Sequence, residues 1–278
     1  VPHVILHFFK KYVVERYFFL ALGAALFSFA NYSVMHSLPS MYYCLAVGLF
    51  TLVYYNINVI WPPKPSLTTF RTFINQHFVT IVFAMAMMVV ALFLMLMEAI
   101  HWNYLQLILL LVSMTLSAFY LLPLGGRAAP RGRSVPVFKT SAIVLCWAIM
   151  ATLPHLALLN KHTISLFIIN GCFTLLLSLP CEAVDADLER TVGQSNIATI
   201  FTMSQLKVLA VMITILEIVT AYIGFKDCMT VFALESVLAM TLFVFNLVPF
   251  NKFFFLFVYD GMFYIRFILT TLLSWSSI

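Results

Sequence analysis

The run Cys181-Glu182-Ala183-Val184-Asp185-Ala186-Asp187-Leu188-Glu189-Arg190 carries four of the ten carboxylates in this 278-residue chain. The sequence around it is apolar, and charge beside a bilayer is costly unless water, a partner or a bound cation satisfies it. Cation binding is therefore the chemistry this cluster offers. At helical spacing Glu182, Asp185 and Glu189 share one face while Asp187 points elsewhere. These four are the candidate metal ligands; a solvated cytoplasmic loop would carry the same charge run.

Two other segments hold polar groups suited to a ligand. The stretch Tyr54-Tyr55-Asn56-Ile57-Asn58-Val59-Ile60-Trp61-Pro62-Pro63-Lys64-Pro65 must end a helix at its prolines. Asn56 and Asn58 then approach an interface, where an amide packs helices together or offers a neutral oxygen to a cation. A basic stretch with Arg127, Arg131, Arg133 and Lys139 either anchors the chain beside anionic lipid or clamps an anionic group such as pyrophosphate. Glu217, Glu235, Asp260 and Arg266 fall inside apolar runs. There, an Asp260–Arg266 or Glu235–Arg266 pair would tether helices, and the alternative is a functional site. Phosphate-loop, zinc-protease and nucleophile-elbow patterns do not occur.

The elements that must position these groups are membrane spans. Residues are 63% hydrophobic and 9% charged, with mean hydropathy +1.04, against roughly 25% charged in soluble domains. Nine apolar stretches of about 20 residues run over 17–37, 41–61, 78–100, 104–124, 137–158, 163–180, 204–224, 229–248 and 254–274. The expected fold is an all-α polytopic membrane bundle of nine transmembrane helices in a single domain, 1–278.

With the N-terminus cytoplasmic, the inner segments hold Lys10, Lys11, Arg16, Lys64, Arg71, Arg127, Arg131, Arg133, Lys139, Arg190, Lys207 and Lys252. The outer segments hold Lys161 and Lys226, and twelve against two sets the C-terminus outside. The inner intervals Trp61 to His77, Gly125 to Pro136 and Cys181 to Met203 are the long polar loops, where function concentrates. The apolar run after Lys10, Lys11 and Arg16 has no small-residue cleavage site and reads as a retained first span. Five scattered cysteines show no metal spacing and read as small apolar fillers. The basic excess follows membrane topology, and no nucleic-acid partner is expected.

Four segments together resemble one family. They are Tyr55-Asn56-Ile57-Asn58; Phe119-Tyr120-Leu121-Leu122-Pro123-Leu124 before the basic loop; Phe138-Lys139 leading into Val144–Pro154; and Asp185-Ala186-Asp187-Leu188-Glu189-Arg190-Thr191-Val192-Gly193. In order and spacing the chain resembles the UbiA superfamily of intramembrane prenyltransferases, in the divergent branch common in Bacteroidetes-type bacteria. The likeness spans essentially the whole chain and implies a UbiA-like bundle in a bacterial inner membrane. Its central cavity would open sideways to lipid and be capped by the loops after spans two and six. Active members hold Mg2+ between two Asp-rich motifs against a prenyl pyrophosphate, whose departure the metal assists.

The first of those motifs is Asn-x-x-x-Asp-x-x-x-Asp. Counted from Asn56, its two Asp positions fall on Ile60 and Lys64. The second keeps Asp185 and Glu189, with Gly193 following and Asn196 in place of the usual Thr or Ser. The resemblance thus makes Asn56, Asn58, Lys64, Arg71 and Lys139 the candidates for pyrophosphate, and Asp185, Glu189, Glu182 and Asp187 those for Mg2+. Half a metal cradle loses orders of magnitude in rate. The first expectation is a catalytically degenerate protein that binds an isoprenoid, quinone or other membrane lipid, or serves as a subunit of a membrane complex. The second is an active Mg2+-dependent prenyltransferase with a rearranged acidic site. Transport ranks behind both, for want of internal repeats or broken helix pairs.

Overall fold

The structure is a computed structural model and describes residues 17–60, 67–121, 136–191, 196–248 and 252–276. It is 88% helix, with no strand among the described residues. The helices are α1 (Phe18–Val34), α2 (Met41–Ile60), α3 (Leu67–Ala99), α4 (Tyr104–Leu121), α5 (Pro136–Thr152), α6 (Lys161–Thr191), α7 (Ile197–Ile200), α8 (Met203–Gly224), α9 (Met229–Val244) and α10 (Lys252–Ser276). Among the described residues, five stretches are long and apolar enough to cross a membrane: His77–Ala99, Phe138–His155, Lys161–Ala186, Met203–Gly224 and Lys226–Val244. Phe18–Val34, Met41–Ile57 and Tyr104–Tyr120 are shorter apolar helices.

The surface is that of a protein bathed in hydrocarbon. Val79, Phe83 and Val89 on α3, Leu107 and Leu111 on α4, and Val208, Ile215 and Ile223 on α8 all point outward. In water such faces would be aggregation sites; in lipid they are neutral. Backbone polarity is satisfied within each helix, as a membrane interior demands. Where helices end, side chains take over. Asn196 with Thr199, and Thr202 with Gln205, form reciprocal capping boxes that start α7 and α8.

Helices pack as an incomplete ring. In order around it, α3 packs on α2, α2 on α1, α1 on α10, α10 on α9, α9 on α8, α8 on α6, α6 on α5 and α5 on α4. Among the described residues α3 and α4, the two ends of that order, scarcely touch. Small residues allow the close crossings, as in membrane bundles generally. A Cβ on Gly48 of α2 would lie 3.0 Å from the Ala21 carbonyl oxygen of α1, and one on Gly224 of α8 would run into Ser165 of α6.

Two cores follow. One gathers Phe27, Phe173, Leu176, Ile213, Met262 and Phe263 from α1, α6, α8 and α10. The other joins Ala24, Tyr43, Val47, Met95, Ile149 and Leu153 from α1, α2, α3, α5 and the turn after it. Trp147 packs against both, with its ring stacked 5.1 Å from Phe263.

The alternation of the helices sorts their ends into two groups. Tyr17 at the start of α1 meets Tyr55 near the end of α2, and Tyr54 meets Tyr120 near the end of α4. At the other end, Asn103 before α4 donates to the Ala157 carbonyl at 2.8 Å, and His162 of α6 reaches the Gly224 carbonyl at 2.7 Å. Ser40 there donates to Glu98.

Two expected loops prove partly helical. α6 continues through Pro180 to Thr191, so the acidic run extends a helix rather than opening the loop Cys181 to Met203. A proline inside a helix costs a backbone hydrogen bond, but neighbouring helices in a bundle can hold the chain in line. Similarly α3 begins at Leu67, with a break at His77 where φ is −115° and ψ 15°. The interval Trp61 to His77 therefore holds a helical segment that leads into the span.

Candidate functional site

The end of the bundle that carries Tyr17, Tyr55 and Tyr120 holds the candidates whose side chains are described: Asn56, Lys139, Glu182 and Asp185. Lys139, one turn into α5, reaches across to Glu182 on the extended end of α6, Nζ to Oε2 at 3.0 Å. Both side chains are nearly buried, 9% and 5% exposed. Asn196, wholly buried, donates its amide to the Glu182 carbonyl at 2.8 Å and thereby fixes α7 against α6. The sequence proposes Lys139 for a pyrophosphate and Glu182 for a cation; the fold joins them to each other.

That pairing carries a prediction. Lys139→Met removes the Lys139 ammonium from the Glu182 carboxylate in a nearly buried site and should destabilise the protein by about 1.5–3 kcal/mol. Adding Glu182→Gln should recover much of the loss, read as thermal unfolding of the detergent-solubilised chain. A Lys139→Met protein as stable as the parent would show the pair to be incidental.

The remaining candidates separate. Asn56 donates its amide nitrogen to the Leu52 carbonyl of its own helix at 2.9 Å. Asp185 is half-buried on α6, within electrostatic reach of Tyr17 and Cys181. Lys64 lies outside the described residues, as do the side chains of Asn58, Arg71, Asp187 and Glu189.

One residue that the sequence offers either as a partner for Arg266 or as part of a functional site lies at this mouth. Asp260 of α10 faces Tyr17, Tyr55 and Cys181, not Arg266. The signal was available: at 3.6 residues per turn, a separation of six places Asp260 and Arg266 on different faces of one helix.

A hard divalent ion needs several oxygen ligands. Glu182 is already engaged by Lys139, and among the described residues no three His, Cys, Asp or Glu side chains converge as a ligand group. The described side chains therefore do not make a Mg2+ cradle, and no step through that ion follows from them.

Beneath the mouth lies a cavity of about 240 Å3 between α2, α4 and α5, reaching Met88 of α3. Its wall is apolar (Val47, Phe50, Leu110, Met114, Ile143 and Met150 among others) with Thr51, Ser113 and Ser117 as isolated hydroxyls. Those polar atoms are partly occupied already. Thr51 Oγ1 donates to the Val47 carbonyl at 2.8 Å, and Ser117 Oγ lies 3.6 Å from Cys146 Sγ. Tyr54, Tyr55 and Tyr120 line the cavity towards the mouth. Its side coincides with the break in the ring between α3 and α4. Chemically this is a hydrocarbon slot under a phenolic rim: it can take an apolar chain and offer hydroxyls to whatever polar group follows.

No family model, curated protein or solved structure matches the chain.

Proposed function

We propose that this protein is a lipid-binding membrane bundle that keeps the layout of an intramembrane isoprenoid transferase without that enzyme's metal-dependent ionising site. The observation that carries the reading is the cavity between α2, α4 and α5, apolar along its wall and reaching the side where α3 and α4 part. At about 240 Å3 it exceeds the roughly 150 Å3 apolar cavity that stays dry and binds benzene. It therefore suits a stretch of branched hydrocarbon such as an isoprenoid or quinone tail, with the head group at the tyrosine-lined mouth.

Three considerations support the degenerate form over the active one. Ile60 and Lys64 stand where carboxylates are needed, Glu182 is neutralised by Lys139, and Asn56 donates its amide nitrogen to its own helix. We place the bundle in a bacterial inner membrane as nine spans, N-terminus cytoplasmic and C-terminus outside. The twelve-to-two distribution of basic residues favours that orientation. A neighbouring membrane subunit could cover the gap between α3 and α4 in place of lipid.

Lipid extraction from the purified protein, followed by mass spectrometry, tests the proposal. An isoprenoid or quinone should be enriched over the bulk phospholipid in about one copy per chain. Incubation with prenyl pyrophosphates and Mg2+ should release no pyrophosphate above background. Turnover abolished by Asp185→Ala would instead establish the enzyme and end the degenerate reading.

A further inference from the structure

Arg266 of α10 is wholly buried and holds three helices at once. Its Nε donates to Glu235 Oε1 of α9 at 2.6 Å, and one terminal nitrogen donates to Glu217 Oε1 of α8 at 3.0 Å and also to Glu235. The other terminal nitrogen donates to Asn170 Oδ1 of α6 at 2.8 Å, and Asn170 in turn donates to Thr152 of α5 at 3.1 Å. Phe27, Phe173 and Phe232 surround the guanidinium, the nearest ring centroid 3.9 Å from Cζ.

The charges do not balance. Two carboxylates with no exposed surface share a single cation, and a second buried negative charge in an apolar setting is not sustained without a partner. The three unpartnered oxygens all lie on the same side of the problem: Glu217 Oε2, Glu235 Oε2 and Ser236 Oγ are buried and accept or donate no hydrogen bond. The groups facing Glu217 are Arg266 from α10, Glu235 and Ser236 from α9 and Cys172 from α6. None of them is a second cation.

We infer that the Glu217–Glu235–Arg266 cluster is a proton-binding site that holds one proton on Glu217 while Glu235 remains the ionised partner of Arg266. The asymmetry of the contacts selects Glu217. Glu235 receives two guanidinium bonds, whereas Glu217 receives one, and the second Glu217 oxygen, with no hydrogen-bond partner, is left to carry the proton. The bound species is a proton rather than a metal ion, because the arginine already occupies the space between the carboxylates. The inference is independent of what the cavity binds.

Infrared difference spectroscopy on the full chain in lipid nanodiscs at neutral pH tests it. The parent should show a protonated-carboxyl carbonyl band that shifts in heavy water and is absent from Glu217→Gln. That variant, a neutral isostere, should melt within a few degrees of the parent. Exchanging sodium for choline should change neither the band nor the melting temperature. A band that persists in Glu217→Gln overturns the assignment, and so does a Glu217→Gln chain that fails to fold. A parent that lacks the band and is stabilised by sodium over choline overturns it in favour of a monovalent-cation site.

Discussion

Arg266→Met should be the most damaging single substitution in this protein, with a loss of about 3–5 kcal/mol. The side chain is replaced by one of similar length, so packing against Phe27, Phe173 and Phe232 is largely kept. What disappears is the charge that neutralises Glu235 and satisfies Glu217 and Asn170. The cost therefore comes from the stranded Glu235 carboxylate and the lost bonds to Glu217 and Asn170 rather than from a cavity. A second substitution separates the two causes. If burial of unpaired charge dominates, Glu235→Gln in the Arg266→Met background should restore a large part of the stability, although Glu235→Gln alone should harm the parent. Such sign reversal between single and double variants is the signature of direct coupling. Additive losses would mean that Arg266 acts chiefly through packing. Thermal unfolding in a single mild detergent at fixed lipid content measures all four chains.

How far this fold could be read in advance depends on the range of the interaction concerned. Each span is announced by its own apolar run, so α1, α2, α4 and α8 begin within two residues of their expected starts. Helix ends near prolines were less legible. Pro180 looks like a terminator, yet α6 passes through it because packing against α5 and α8 holds the chain on course. That error matters for function, since it turns the acidic run from a loop that could close over a ligand into a fixed helical face.

Pairings across the bundle divide in the same way. Glu235–Arg266 could be proposed because few charges lie within spans to choose from. Lys139 and Glu182 are 43 residues apart, and each had another plausible role. Only the crossing of α5 and α6 makes them partners. Asn170 gave no signal at all: an amide in the middle of an apolar helix reads as a packing residue until Arg266 is placed beside it.

Filling the cavity should empty it of lipid without harming the fold. Ser117 of α4 is half-buried on the cavity wall, and among the described residues its hydroxyl meets Cys146 Sγ at 3.6 Å, a weak sulfur hydrogen bond whose loss costs little. Ser117→Phe places an aromatic ring into existing space rather than into packed atoms. Cavity-filling changes of this kind typically add about 0.5–2 kcal/mol, whereas inserting the same ring into a close-packed core costs about 1–3 kcal/mol. The delipidated variant should thus melt no lower than the parent, while the co-purifying lipid falls at least tenfold. The two readouts move in opposite directions only if the space between α2, α4 and α5 is the binding site. Undiminished lipid in a stable Ser117→Phe protein would move the site elsewhere, most directly to the outer faces of α3 and α4. A sharp fall in stability would show that the wall cannot admit a ring, and Met114→Trp on the same helix would then repeat the test from a neighbouring position.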